Sequence, residues 1–144
     1  MAIRTFLDTS VLFAAHRGKR AVREPSLAIV NEDGRFFIAS PFLYLETMPK
    51  AIFHQNKLEM EFYTAYFDNV LIWINDVESI VRIAREESEQ CGLSAMDALH
   101  VAAAYLAEAE VLYTLERTDK PIHRTSLVRV VSVEPENPSL TNIE

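Results

Sequence analysis

The sequence predicts an α/β protein, with helices covering both faces of a central, mostly parallel sheet in a three-layer α/β/α sandwich. Short apolar segments with strand character alternate with helical segments along the chain. The strand segments are β-branched and aromatic, as expected for strands buried on both faces. Only 3 glycines and 6 prolines occur in 144 residues, which argues against long linkers. We therefore predict one domain, residues 1–134, and a C-terminal tail, residues 135–144.

Five segments have the composition of strands, and turn or capping residues follow several of them. The first delivers Asp8 at its carboxyl end, within the motif Asp8-Thr9-Ser10, which leads into a helix. The fourth is followed closely by Glu116. The last precedes the proline-containing tail. The predicted strands are Ile3–Leu7, Arg35–Ala39, Val70–Ile74, Val111–Thr114 and Leu127–Val133.

The predicted helices are marked by their capping residues. We expect Pro25 to open the helix that ends near Asn31, because proline is favoured in the first turn. Pro49 should kink or break the helix that starts after Ser40. The segment from Asp76 to Gly92 has apolar residues at helical spacing, with Gly92 as a C-cap. Further helices are predicted at Asn56–Asn69 and at Ser94–Ala109.

Composition limits the class of protein. Cys91 is the only cysteine, so no internal disulfide is possible, which fits a reducing compartment. No apolar run approaches the roughly 18 residues of a membrane span, and the N-terminus is too polar for a signal peptide. We therefore expect a cytoplasmic protein. The net charge of −7 argues against a plain nucleic-acid-binding module but not against a metal-dependent nuclease.

Four acidic residues are expected to meet at one edge of the sheet. Asp8 and Glu116 follow strands, while Glu46 and Asp97 lie near the starts of helices. Such a cluster needs protonation, basic partners or cations. Oxygen-only ligands favour Mg²⁺ or Mn²⁺, and two such ions clamp a phosphoryl displacement. Considered one at a time, each acid has a simpler interpretation. Asp8 and Asp97 can be helix caps. Glu46 can be a surface residue, and Glu116 can be a turn residue.

These motifs resemble those of PIN-domain ribonucleases, a group that includes the VapC-type toxins. The resemblance rests on Leu-Asp-Thr-Ser ending at Ser10, the Glu46 helix, the block Met96–Ala104 and the acid after the fourth strand. It implies an α/β/α sandwich, Mg²⁺- or Mn²⁺-dependent cleavage of RNA and an antitoxin partner for toxin members. It makes Asp8, Glu46 and Asp97 the core acids, with Ser10 supporting the first.

The fourth acid departs from the family pattern. Relatives usually carry Thr-x-Asp after the fourth strand, whereas this chain has Thr114-Leu115-Glu116. We favour Glu116 as the fourth acid and keep Asp119 as the alternative. Thr114 and Asp119 are otherwise expected to support the metal ligands.

Other residues have weaker assignments. The basic residues of a predicted loop, together with one residue beside the fourth acid, are candidate RNA contacts or solvated surface charges. His100 is favoured as a hydrogen-bonded core residue rather than a general base. The aromatic residues of Asn56–Asn69 exceed one buried face, which predicts a homodimer or a partner protein. The candidate RNA contacts are Arg17, Lys19, Arg20 and Arg117.

Two other function classes remain as alternatives. One is a catalytically silent PIN-like module that binds protein or RNA. The other is a phosphoacceptor receiver domain, which ranks low because it needs an acidic pair and only Asp8 ends the first strand.

Overall fold

The computed structural model describes residues 2–133. Its strands are β1 (Ile3–Leu7), β2 (Arg35–Ala39), β3 (Ile72–Trp73), β4 (Val111–Thr114) and β5 (Val130–Ser132). Its α-helices are α1 (Thr9–Arg17), α2 (Arg20–Val30), α3 (Pro41–Phe53), α4 (Lys57–Asp68), α5 (Val77–Cys91) and α6 (Ala95–Leu106). A short 3-10 helix, Pro121–Arg124, precedes β5. The predicted tail, residues 135–144, lies outside the described residues.

The five strands form one parallel sheet in the order β3-β2-β1-β4-β5. The chain moves in one direction from β1 to β3 and then returns past β1 to reach β4. With right-handed crossovers, this reversal places α1–α4 on one face and α5–α6 on the other. The predicted α/β/α sandwich is therefore confirmed. The reversal also makes the carboxyl ends of β1 and β4 the switch point at which such folds bind ligands.

The strands are apolar because helices cover both faces of the sheet. Phe6, Ile38 and Leu112, on three adjacent strands, are completely buried. Leu43 of α3 and Val101 of α6 are completely buried as well. Burial of side chains of this size contributes about 1.5–3 kcal/mol each to folding. The sheet is thus a rigid base for the residues that follow its strands.

Predicted caps define several helix ends. The side chains of the predicted caps Ser40, Asp76 and Ser94 each accept a hydrogen bond from a backbone N–H in the first turn of the next helix. Asn56, which was predicted as the first residue of its helix, is also an N-cap. Gly92 ends α5 in the left-handed conformation, with φ of 71°. These local signals were read correctly because each depends on neighbouring residues only.

The prediction that Pro25 opens a helix was wrong, and the break considered at Pro49 does not occur. Helix α2 begins at Arg20, where the Lys19 carbonyl accepts the first hydrogen bonds, and it continues through Pro25. The basic residues expected in a loop therefore lie on or between α1 and α2. Helix α3 likewise continues through Pro49 without a break. Leu45, whose carbonyl Pro49 leaves without an intrahelical donor, is 62% exposed, so water can reach this turn.

The edge strands are shorter than predicted, because β3 and β5 each pair with only one neighbour. The loop expected at residues 118–125 contains the 3-10 helix. The aromatic residues of α4 are also better covered than predicted. Tyr63, Tyr66 and Phe67 are buried within the chain, and Phe62 packs against the core. In the described part of the chain, no helix is long and apolar enough to cross a membrane.

Candidate active site

One cavity at the carboxyl edge of the sheet brings the four predicted acids together. Its volume is about 410 Å³, and Asp8, Glu46, Asp97 and Glu116 all line it. The pairing of Leu7 with Tyr113 brings the ends of β1 and β4 level. The topology therefore brings to one cavity carboxylates that are far apart in the sequence.

Asp8 is the most buried of the four acids, with 4% of the residue exposed. Its Oδ1 accepts hydrogen bonds from the Ser10 hydroxyl at 2.5 Å and from the Val11 N–H at 3.2 Å. The second bond makes Asp8 the N-cap of α1, so the same side chain caps the helix and lines the cavity. Burial raises the pKa of Asp8, although bonds to Ser10 and Thr114 oppose the shift. A nearby cation would compensate this buried charge.

Glu46 is held through one oxygen. Its Oε1 accepts a hydrogen bond from the Thr9 hydroxyl at 2.5 Å and lies 2.6 Å from Nε2 of His100. The His100 contact is the main cause that lowers the pKa of Glu46, and Thr9 adds to it, although burial opposes both. Since an ionised carboxylate only accepts, His100 carries its proton on Nε2. Within residues 2–133 no hydrogen bond engages Oε2 of Glu46, which remains available for a ligand.

Asp97 lies on the first turn of α6. Ser94 accepts a hydrogen bond from the Asp97 N–H at 3.3 Å, which is one half of a capping box. The reciprocal bond from the Asp97 carboxylate is absent among residues 2–133. The half-buried carboxylate lines the cavity and has no hydrogen-bond or ion-pair partner within residues 2–133.

Glu116, rather than Asp119, lines the cavity. Its backbone N–H donates to the Thr114 hydroxyl at 3.1 Å, and Thr114 also bonds to Asp8. Thr114 therefore links the first and fourth acids, while its predicted support of metal ligands stays a prediction. Asp119 is instead paired with Arg117 at 3.5 Å, and both side chains are largely exposed.

The acids share the cavity without forming a complete ligand set. In the described part of the chain, no group of three or more His, Cys, Asp or Glu side chains is close enough to hold a metal ion. Among residues 2–133 these side chains therefore do not form a preassembled set of three direct ligands. Mg²⁺ commonly uses only one or two carboxylates and completes its shell with water and phosphate.

None of the predicted RNA contacts lines the cavity. Arg17 pairs with Glu59 at 3.5 Å, and Arg20 pairs with Glu24 at 2.8 Å. Lys19 is exposed beside them.

Several cavity residues were not assigned to the site from the sequence. His100 is buried and hydrogen-bonded as predicted, but its partner is the candidate ligand Glu46. Lys50 lines the cavity one helical turn after Glu46, a spacing that could have identified it. The remaining unassigned residues include Thr9, Phe13, Glu59 and Tyr63.

Comparison with models of known families shows to which family the chain belongs. The family model that describes the PIN domain matches residues 5–127 of this chain. The chain belongs to the PIN-domain family. Proteins of this family are generally dependent on divalent metals.

Several solved structures share this PIN fold, among them the following two. One is a toxin–antitoxin complex from Klebsiella pneumoniae, with a TM-score of 0.65, 21% identity, and coverage of 90% of this chain and 97% of the other. The second is VapBC2 from Rickettsia felis bound to a DNA fragment from its promoter. It has a TM-score of 0.65, 14% identity, and coverage of 90% and 98% respectively. A comparison with curated proteins gave no significant match.

The cavity of this PIN domain fits a hard divalent cation by its chemistry. All four acids offer oxygen ligands, which suit Mg²⁺ or Mn²⁺. Asp8 is buried with its pKa raised, and neither the Asp97 carboxylate nor Oε2 of Glu46 has a hydrogen-bond partner among the described residues. A bound cation would compensate the negative charge of these carboxylates.

Proposed function

We propose that this PIN-domain protein is a divalent-metal-dependent endoribonuclease that hydrolyses RNA phosphodiester bonds. The observation that carries the proposal is the cavity at the ends of β1 and β4, which four carboxylates line. Carboxylates that share a cavity repel one another, and a bound cation would relieve that repulsion. A cytoplasmic location remains a prediction of the sequence.

The residues take distinct roles in this proposal. A bound Mg²⁺ or Mn²⁺ would neutralise charge on the scissile phosphate and lower the pKa of the attacking water. Asp8 and Asp97 would be the principal ligands, with Glu46 and Glu116 acting directly or through water. Lys50 is placed to attract the phosphate backbone. By family resemblance, the products carry a 5′-phosphate and a 3′-hydroxyl.

Replacement of Asp97 by Asn tests the assignment. D97N should fold normally, because the Asp97 N–H keeps its bond to Ser94, and it should cut RNA at least about 100-fold more slowly in Mg²⁺ or Mn²⁺. D119N is the matched control, since Asp119 does not line the cavity, and it should retain parental activity. A D97N protein that cuts RNA at the parental rate would rule out Asp97 as a ligand.

We further infer that the protein is the toxin of a toxin–antitoxin pair and forms a homodimer. Both structural neighbours described above are toxin–antitoxin assemblies. Several large apolar side chains remain exposed on α3 and α4, in place of the aromatic residues that were expected to be exposed. Leu45 is 62%, Ile52 49%, Phe53 81% and Leu58 71% exposed. Sedimentation of the purified protein tests the dimer, and a monomer at all concentrations would refute it.

A catalytically silent PIN-like module is the second candidate. It is favoured by the lack of a three-residue metal cluster among residues 2–133 and by the Glu at the fourth position. Addition of Mn²⁺ distinguishes the two candidates, because a ligand that binds the folded state raises the melting temperature. A silent module would show neither this shift nor cleavage.

A further inference from the structure

Phe13 is the one large apolar side chain of α1 that the core does not cover. The residues on either side of it, Leu12 and Ala14, are buried, whereas Phe13 is 46% exposed. Its ring lines the same cavity as the four acids. A phenylalanine cannot bind a cation through oxygen, and an exposed ring contributes little to the core. Its position therefore suggests contact with a ligand.

Arg17 lies one helical turn after Phe13, and its guanidinium carbon is 5.7 Å from the centre of the Phe13 ring. On its other side, Arg17 pairs with Glu59 of α4 at 3.5 Å. The Arg17 side chain is 53% exposed, so this pairing leaves much of the guanidinium accessible. A guanidinium presents several N–H donors in a planar arrangement that matches a phosphate.

Glu59 holds Arg17 in this position. Only 8% of Glu59 is exposed, and its two oxygens accept hydrogen bonds from the Tyr63 hydroxyl and the Asn56 amide, each at 3.0 Å. With these bonds and the Arg17 ion pair, the buried charge is compensated within the chain. Glu59 is therefore a support for the arginine rather than a fifth metal ligand.

We propose that Phe13 and Arg17 form a nucleotide subsite at the cavity of the acids, with Glu59 as a positioning residue. Phe13 stacks on an unpaired base, and Arg17 binds the adjacent phosphate. Bases within a duplex already stack on their neighbours, so only a single-stranded nucleotide offers a free face. The inference rests on the proposed ribonuclease function and names the residues that would hold one nucleotide of the RNA.

The charge distribution supports this arrangement. The chain has a net charge of −7, and the four acids repel phosphate from the cavity. A guanidinium held beside the cavity supplies local positive charge without depending on the overall charge of the protein. Arg17 thereby keeps a role in RNA binding although it does not line the cavity itself.

A binding experiment with a fluorescent RNA tests the subsite. The probe is a single-stranded oligonucleotide with one 2-aminopurine, whose emission falls when the base stacks on an aromatic ring. Ca²⁺ is present because it takes oxygen ligands and compensates the acids. The parent should bind with quenching, and Phe13→Leu should lose the quenching and bind at least about fivefold more weakly. Phe36→Leu is the matched control, because Phe36 is 43% exposed and does not line the cavity.

The arginine and its support are tested with the same probe. Arg17→Gln should weaken binding, whereas Arg85→Gln, which removes an exposed arginine of α5 paired with Glu89, should leave binding unchanged. Glu59→Gln should reproduce most of the Arg17→Gln loss, and the double variant should show no additional loss. Additive losses in the double variant would overturn the positioning role of Glu59. Thermal melts verify that each variant is folded.

Two outcomes would overturn the nucleotide subsite itself. If Phe13→Leu protein binds the probe and quenches its emission like the parent, Phe13 does not stack on a base. The exposed ring would then be a contact for a protein partner. Equal affinity of the parent for a duplex of the same sequence would exclude a single-stranded substrate. Cleavage in Mn²⁺ is measured separately. Phe13-dependent binding without cleavage by the parent would refute the ribonuclease proposal and leave the subsite standing.

Discussion

The two hydrogen-bond donors on Glu46 provide a sharp test of the site. Thr9 and His100 both contact Oε1, which leaves Oε2 as the oxygen that faces a ligand. Replacement of His100 by Leu or of Thr9 by Val removes one donor while keeping an apolar side chain of similar size. Glu46 should then rotate among several conformers, and a cation should bind less tightly.

The size of the effect follows from the contacts. A hydrogen bond to a charged group contributes about 1.5–3 kcal/mol when buried. The Glu46 side chain is 30% exposed, so solvent weakens the contribution, and we take the lower half of that range. This corresponds to a loss of about 10–50-fold, within the range found when a residue that supports a metal ligand is removed. H100L should show the larger loss, since His100 is the main cause that lowers the pKa of Glu46.

The assay combines kcat/KM for RNA cleavage with the Mn²⁺ dissociation constant from calorimetry. H100Q and T9S are the matched controls, because each restores a donor near the original position. They should recover most of the activity and the Mn²⁺ affinity. If H100L and T9V bind Mn²⁺ and cut RNA as well as the parent while remaining folded, Oε1 does not need its donors and our reasoning about Glu46 is wrong.

Further predictions concern the other acids and the fold. Because burial raises the pKa of Asp8 in the folded state, ionised Asp8 destabilises the metal-free fold at neutral pH, so D8N should melt a few degrees higher in EDTA at pH 7.5. This gain should shrink as the pH falls towards 3.8, the ordinary pKa of an aspartate, and a gain that stays unchanged over that range would contradict it. E116Q should slow RNA cleavage about tenfold, whereas a loss in D119N alone would reassign the fourth acid. Gly92→Ala should reduce the free energy of unfolding in urea by about 1–2 kcal/mol, because Gly92 is left-handed, and Gly92→Asn should cost less.

Local patterns were sufficient for much of the fold. Ser94 and the apolar residues after it defined α6, and Asp76 with Gly92 defined both ends of α5. The helix start predicted at Pro25 was wrong because a proline inside a helix disrupts the hydrogen bonding of only part of one turn. The packing of the whole helix decides where the helix starts. Such tertiary effects leave no trace in a short window of sequence.

The candidate site was predictable only in part for the same reason. Asp8 and Asp97 stand in motifs that can be recognised locally. The contact between Glu46 and His100 joins residues 54 positions apart, and no spacing rule predicts it. Glu59 appears in the sequence as one of several charged residues on a helix, and only its hydrogen bonds to Asn56 and Tyr63 explain its burial.

Two hydroxyl groups join the site to the sheet. Ser10 donates to Asp8 and accepts a hydrogen bond from the Leu115 N–H at 3.0 Å, so it connects the start of α1 to the end of β4. Thr114 bonds to Asp8 and accepts from the Glu116 N–H. The first acid and the loop of the fourth acid are therefore positioned by the same two side chains. Because both hydroxyls depend on the pairing of β1 with β4, formation of the sheet also brings Asp8 and Glu116 into the same cavity.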